Sequence, residues 1–155
     1  MATIINTANR FAFVHIPKCA GMSVTLGIEA ALSGNQGSST RPSGEIIEQP
    51  EIGRVMPAHK PLRMLADYFP DELSAYRNCI CFAISPDPRK RFVSAVQQHL
   101  RQFHGQKLSD LSAADLGRVI DRIRTTITAD PTYPGVEYVH FLRQTDFVYL
   151  DGERI

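Results

Sequence analysis

Hydrophobic and polar positions along the chain fall into blocks whose period changes from element to element. Phe11-Ala12-Phe13-Val14-His15-Ile16 is a β-rich run closed by Pro17, the pattern of a buried strand that ends in a turn. Gly21 sits in that turn. From Ser23 the apolar positions Val24, Leu26, Ile28, Ala31 and Leu32 read as a helix, with Ser23 as its N-cap or first-turn residue. Ser33 to Gly44 contains almost nothing that could anchor in a core, so residues 33–50 are expected to be a mobile surface loop. Val55 to His59 is short and fits no single period. After Pro61, Leu62, Leu65, Ala66 and Phe69 are spaced as a helix, which puts His59 just before it.

Asn78 to Ile84 reads as the second strand. Asp87-Pro88 then joins a favoured N-cap to a favoured first helical residue, and Phe92, Ala95, Val96 and Leu100, with Phe103 beyond, form the buried stripe. Arg91, Ser94 and Gln98 lie on the opposite stripe. Ser112-Ala-Ala-Asp115 has the form of a capping box, and Leu116, Val119, Ile120, Ile123 and Ile127 continue it at helical spacing. No internal repeat is present. Strands alternating with helices predict a single α/β layered domain over residues 1–155, with a mainly parallel sheet flanked by helices.

Composition narrows the function classes. The chain has 155 residues, 43% of them hydrophobic, enough for one core. Seventeen Lys and Arg oppose sixteen Asp and Glu, so the net charge of +1 supplies no general field for nucleic acid or an anionic membrane. No window approaches the ~18–20 apolar residues of a membrane span, and Met1 to Arg10 lacks the pattern of a signal peptide. The expectation is a soluble, cytoplasmic chain with neither nucleic acid nor membrane as partner. Its three cysteines, Cys19, Cys79 and Cys81, are expected to be reduced thiols, the last two side by side on one face of a strand. No four-ligand zinc spacing occurs. The charge is uneven, however: residues 86–107 carry Arg89, Lys90, Arg91, Arg101 and Lys107 against Asp87 alone, a local attractor of anions.

That attractor gains meaning from Pro17-Lys18-Cys19-Ala20-Gly21-Met22-Ser23, which joins a strand to a helix. A helix N-terminus offers unpaired N–H donors and a partial positive charge; Gly21 lets the backbone approach closely, Lys18 adds a cation and Ser23 a hydroxyl. The stretch is an anion cradle. The order of a Walker A loop is absent, because Lys18 comes at the beginning of the turn, and no acidic pair for Mg²⁺ follows a strand.

His15-Ile16-Pro17-Lys18-Cys19-Ala20-Gly21-Met22-Ser23 closely resembles the 5′-phosphosulfate loop of sulfotransferases of the carbohydrate type, whose usual form is HIPKTAGTS. Pro86-Asp87-Pro88-Arg89-Lys90-Arg91-Phe92-Val93-Ser94 resembles the second signature, RDPxxRxxS. Ala58-His59-Lys60-Pro61 is similar to the GHxP element, and Phe141-Leu142-Arg143-Gln144-Thr145-Asp146 to the FLxxQxDF stretch, so the resemblance covers most of the chain. It implies a three-layer, P-loop-like domain that transfers a sulfuryl group from 3′-phosphoadenosine 5′-phosphosulfate (PAPS) to an acceptor hydroxyl or amine, carbohydrate or small molecule, without a metal. Lys18 would stabilise charge on the leaving phosphate, and the loop of Lys18, Cys19, Ala20, Gly21, Met22 and Ser23 would hold the 5′-phosphate. Ser94 would contact the 3′-phosphate, and His59 is the candidate general base, since imidazole titrates near neutrality.

The chain departs from the family pattern twice. Pro86 stands where the family has the arginine that grips the 3′-phosphate, a contact on the order of 1.5–3 kcal/mol, with Arg89 or Arg91 as the available substitute. After Asp151-Gly152 the family usually continues through another strand and helices, so the resemblance leaves a minimal domain, a fragment and a degenerate relative open, and an incomplete pocket would favour a homo-oligomer. Beside the enzyme stand a catalytically silent nucleotide- or phosphate-binding module of the same fold and a phosphoryl-transfer enzyme with an unusual loop.

Overall fold

The structure, a computed structural model, describes residues 4–32, 39–40 and 45–155. It is a mixed α/β chain. In order, the elements are β1 (Ile4–Asn6), β2 (Phe11–Phe13), α1 (Gly21–Leu32), β3 (Ser39–Thr40), β4 (Ile47–Gln49) and β5 (Gly53–Val55). Then come α2 (Leu62–Tyr68), α3 (Pro70–Arg77), β6 (Ile80–Phe82), α4 (Pro88–Phe103), α5 (Ala113–Ala129), β7 (Tyr149–Leu150) and β8 (Glu153–Arg154). Short 3₁₀ turns at Pro57–His59, Val139–Phe141 and Gln144–Phe147 carry several side chains that matter below.

The principal sheet has the order β3-β1-β2-β6. At one edge lies the parallel pair β2 and β6, with Phe11 opposite Ile80 and Phe13 opposite Phe82, and Val14 N–H donates to the Phe82 carbonyl at 2.9 Å just beyond the strands. The other pairings, β1 with β2 and β1 with β3, are antiparallel. The expected mainly parallel sheet is corrected here: a strand joined to its neighbour by a turn as tight as Thr7 to Arg10 has no room for the crossover a parallel pair needs. That turn is closed by Asn9 N–H donating to Asn6 Oδ1 at 2.8 Å and by a left-handed Arg10, φ +52°.

Two other expectations shift. The segment 33–50, expected as loop throughout, ends in strand β4, paired antiparallel with β5. Of its earlier part, 33–38 and 41–44 lie outside the described residues, and Ser39–Thr40 pairs with β1. The helix expected after Pro61 is α2, but it is followed at once by a second helix, α3, that was not expected: Pro70 cannot continue α2 yet suits the first position of α3.

Helix α4 begins as its sequence demands, with Asp87 Oδ1 accepting from the backbone N–H groups of Arg89 at 2.9 Å and Lys90 at 3.0 Å. Helix α5 is capped likewise by Ser112, which accepts from Asp115 N–H at 3.1 Å. One core packs Val14, Ile16, Leu62, Leu65, Leu142 and Phe147 between the sheet and the α2 side. A second packs Ala95, Val96 and Leu100 of α4 against Ile123 of α5 and Tyr138 and Phe141. Cys79 and Cys81 share the face that packs on the first core, and all three cysteines are free thiols. No helix among the described residues is long and apolar enough to cross a membrane.

Arg91 is the exception to the α4 pattern. Expected on the polar stripe, it is 7% exposed, and its guanidinium donates from Nε to the Pro17 carbonyl at 2.9 Å and from Nη1 to the Leu142 carbonyl at 2.8 Å. Phe92, expected in the buried stripe, is 38% exposed and meets Phe141 edge to face at 5.8 Å between centroids. The helix is therefore turned so that Arg91 faces the turn after β2. A buried cation persists only when hydrogen-bonded, and this one ties three distant segments together. Arg91→Met should lower unfolding stability by about 3 kcal/mol in urea titration, since two carbonyls lose a charged donor. An unchanged midpoint would show that the strap carries no stability.

Candidate functional site

Alternation along the strand that leads out of β2 separates two environments. Phe13 and His15 stack on one side, ring centroids 6.1 Å apart, while Val14 and Ile16 point into the core on the other. The turn that follows is bent by two left-handed non-glycine residues, Lys18 at φ +64° and Ala20 at φ +56°, each a conformation that costs on the order of 1–3 kcal/mol. Helix α1 then starts at Gly21. No partner is recorded among the described residues for the N–H groups of Gly21, Met22 and Ser23, as at any uncapped helix start.

The imidazole of His15 lies directly over Gly21. A Cβ built on that glycine would fall inside the His15 ring, so the close approach, rather than the turn geometry, requires glycine there. His15 in turn meets His59 edge to face at 4.9 Å between centroids, and His59 meets His140 in the same way at 4.9 Å. Nε2 of His140 is 3.3 Å from Nδ1 of His59. The three rings come from the end of β2, the turn before α2 and the turn after α5.

Lys18 borders the same space as the rings. Its ammonium donates to Gln98 Oε1 at 2.7 Å, and Gln98 donates on to Gln102 at 3.1 Å, so α4 aims the lysine. Ser94, one turn before Gln98, borders the same space. Together these groups enclose a cavity of about 380 Å³ between the cradle, the histidines and α4. A second cavity of about 500 Å³ lies on the far side of the strand, bordered by Val14, Ile16, Phe82 and Tyr149, and holds none of the expected site residues.

Of the residues singled out from sequence, Lys18, Ala20, Gly21, Met22, Ser94 and His59 border the one cavity. Cys19 is buried beneath it, its thiol donating to the Pro17 carbonyl at 3.4 Å. Ser23 is exposed and off the cavity wall. Arg91 is committed to backbone carbonyls, and Pro86 contributes only a carbonyl, which accepts from Gln144 Nε2 at 3.3 Å. Gln98 and His140 join the site without having been proposed for it. Gln98 is legible as the next turn of the Ser94 stripe, whereas nothing local marks His140, which is flanked by Val139 and Phe141.

Burial sets the protonation of the cluster. Desolvation, and then the neighbouring His140 and His15, hold His59 well below the ordinary imidazole value. His140 is pushed down to about 4 by desolvation first and by the charges of Lys18 and Arg91 next. Lys18 is lowered by desolvation first and then by the nearby charge of Arg101. Burial likewise raises the Cys19 thiol. Among the described residues, no group of three or more His, Cys, Asp and Glu side chains is arranged to hold a metal ion. Among the described residues the arrangement offers the Lys18 ammonium, helix-start N–H groups, the Ser94 hydroxyl and the Gln98 amide around a space rimmed by three imidazoles. No protein-family model, curated protein or solved structure matches the chain.

Gly21→Ala should displace the His15 ring and lower the urea unfolding midpoint while the far-UV circular dichroism stays native; an unchanged midpoint would show that the ring contact is dispensable. Because His140 is neutral when folded and titrates from 6.5 toward about 4, the unfolded chain binds more protons between those values. Stability should therefore be full above the unfolded value and fall as pH drops toward 4, by about 3 kcal/mol for this group. Denaturation midpoints measured against pH, in the wild type and in His140→Asn, should show that dependence flatten in the variant.

Proposed function

We propose that the chain binds a phosphosulfate nucleotide in the cradle and transfers its sulfuryl group to an acceptor hydroxyl or amine, with PAPS as donor. One observation carries this reading: the Lys18 turn and Ser94, from the two stretches that resemble sulfotransferase signatures, border the same cavity, because β2 and β6 are parallel neighbours and both turns leave the same end of the sheet. The proposal extends to the architecture, with β2, β6, α1 and α4 as the centre of a three-layer, P-loop-like domain.

In this reading the residues divide the work by charge. Lys18, aimed by Gln98, neutralises the oxygen that becomes the leaving phosphate, and the N–H groups of Gly21 and Met22 hold the same phosphate from the helix start. The sulfur–oxygen bond to that phosphate breaks as a new one forms to the acceptor, whose proton passes to an imidazole of the cluster, His15 or His59. Preorganised donors do this without reorganising during the step, which is why the strained turn and the buried strap are consistent with the reading. The silent binding module is the second reading, and a specific observation favours it. Arg91 is buried against carbonyls and Pro86 replaces an arginine, so the 3′-phosphate side presents no arginine from either position.

Calorimetric titration with adenosine 3′,5′-bisphosphate, with and without Mg²⁺, is expected to show binding that ignores the metal. Lys18→Ala should then lower sulfuryl transfer at least ~100-fold, the scale for losing one preorganised donor. Nucleotide binding with no transfer to a broad acceptor panel would establish the silent module, and absence of binding would end both readings.

A further inference from the structure

His59 and His140 share one hydrogen bond, and its direction decides what His59 can do in the cavity. Both rings are held neutral at physiological pH, so each carries a single proton, and exactly one of the two facing nitrogens, His59 Nδ1 or His140 Nε2, bears a hydrogen along their 3.3 Å line. If His59 donates, His140 must carry its proton on Nδ1. That atom is fully buried and has no hydrogen-bond partner among the described residues. If His140 donates, the same Nδ1 is a bare lone pair, and His59 must carry its proton on Nε2. An orphaned buried N–H is the rarer and costlier of the two outcomes.

The geometry points to His140 as a positioning residue that holds His59 in its Nε2–H tautomer, so that His59 meets the cavity as a hydrogen-bond donor to an anion rather than as a proton acceptor. Nδ1 of His59 is occupied by His140, and Nε2 is the nitrogen left to reach the space that Lys18 also borders. An uncharged N–H donor bordering the same cavity as an ammonium suits an oxyanion with several oxygens. This deepens the sulfuryl-transfer reading, on which it rests for the identity of the anion, and it moves the acceptor's proton to His15.

Long-range ¹H–¹⁵N correlation spectra of the full chain with ¹⁵N-labelled histidine, near neutral pH, report which ring nitrogens carry protons. The expected result is a protonated Nε2 and a bare Nδ1 on His59, with Nε2 protonated on His140. A protonated Nδ1 on His59 would overturn the inference, whatever the fate of any variant. His140→Gln, whose amide N–H replaces the donor, should keep the His59 tautomer, and His140→Phe should release it to a mixture. Relative to His140→Gln, His140→Phe should bind adenosine 3′,5′-bisphosphate about tenfold more weakly, equivalent to about 1.4 kcal/mol. The expected tautomer in a chain that does not bind this nucleotide would support the inference while refuting the sulfuryl-transfer reading.

Discussion

Everything at the candidate site depends on the parallel pairing of β2 with β6. Parallel neighbours send their following turns to the same end of the sheet, so the Lys18 turn and the start of α4 face each other although they are far apart in the chain. The pairing alone would leave the two turns loosely related. Arg91 removes that freedom by reaching from α4 to the Pro17 carbonyl, immediately before Lys18, and to Leu142, immediately after the turn that carries His140. One buried guanidinium thus holds both walls of the cavity at once.

Placing the strap inside the protein has electrostatic consequences for its surroundings. A buried cation at Arg91 and a half-buried one at Lys18 lie beside His140, and His59 is buried next to it, so the imidazoles stay neutral where exposed histidines would titrate near neutrality. Neutral rings cannot neutralise an anion, but they can donate to one without adding to the repulsion around Lys18. Lys18 is the cation on the cavity wall among the described residues, held by Gln98, and the other donors there are dipoles.

The sheet shows a different balance at its rim. Strand β6 has β2 on one side and no strand on the other among the described residues, and Ile80, Phe82 and Ile84 are exposed along it, with Ile80 at 78%. The sheet therefore spends its best apolar strand on positioning α4, and its outer face is less complete than its inner one, where Cys79 and Cys81 pack.

Local chemistry made some of this legible in the sequence. Asp87-Pro88 and Ser112 start helices wherever they stand, because a cap acts on N–H groups two or three residues away, and the run ending at Pro17 forms strand and turn for equally local reasons. The turn that carries Lys18 into the helix start at Gly21 was readable on the same grounds. Other features were not local. Ile4-Ile5 is too short a run to announce β1 until β2 pairs with it, and Pro70 reads as easily as the end of one helix as the start of another. Arg91 sits on a stripe that looks polar by spacing, and only the rotation of α4 against the β2 turn puts its guanidinium within reach of two carbonyls. His140 lies between apolar residues with no motif of its own, and it joins His59 because chain segments 81 residues apart pack together. The sequence by itself determined where β2, α4 and α5 begin or end and which residues make the turn after β2, since those depend on neighbours along the chain. Which charges are buried and which rings touch was decided by tertiary packing alone, because burial and contact are properties of surfaces that exist only once distant segments meet.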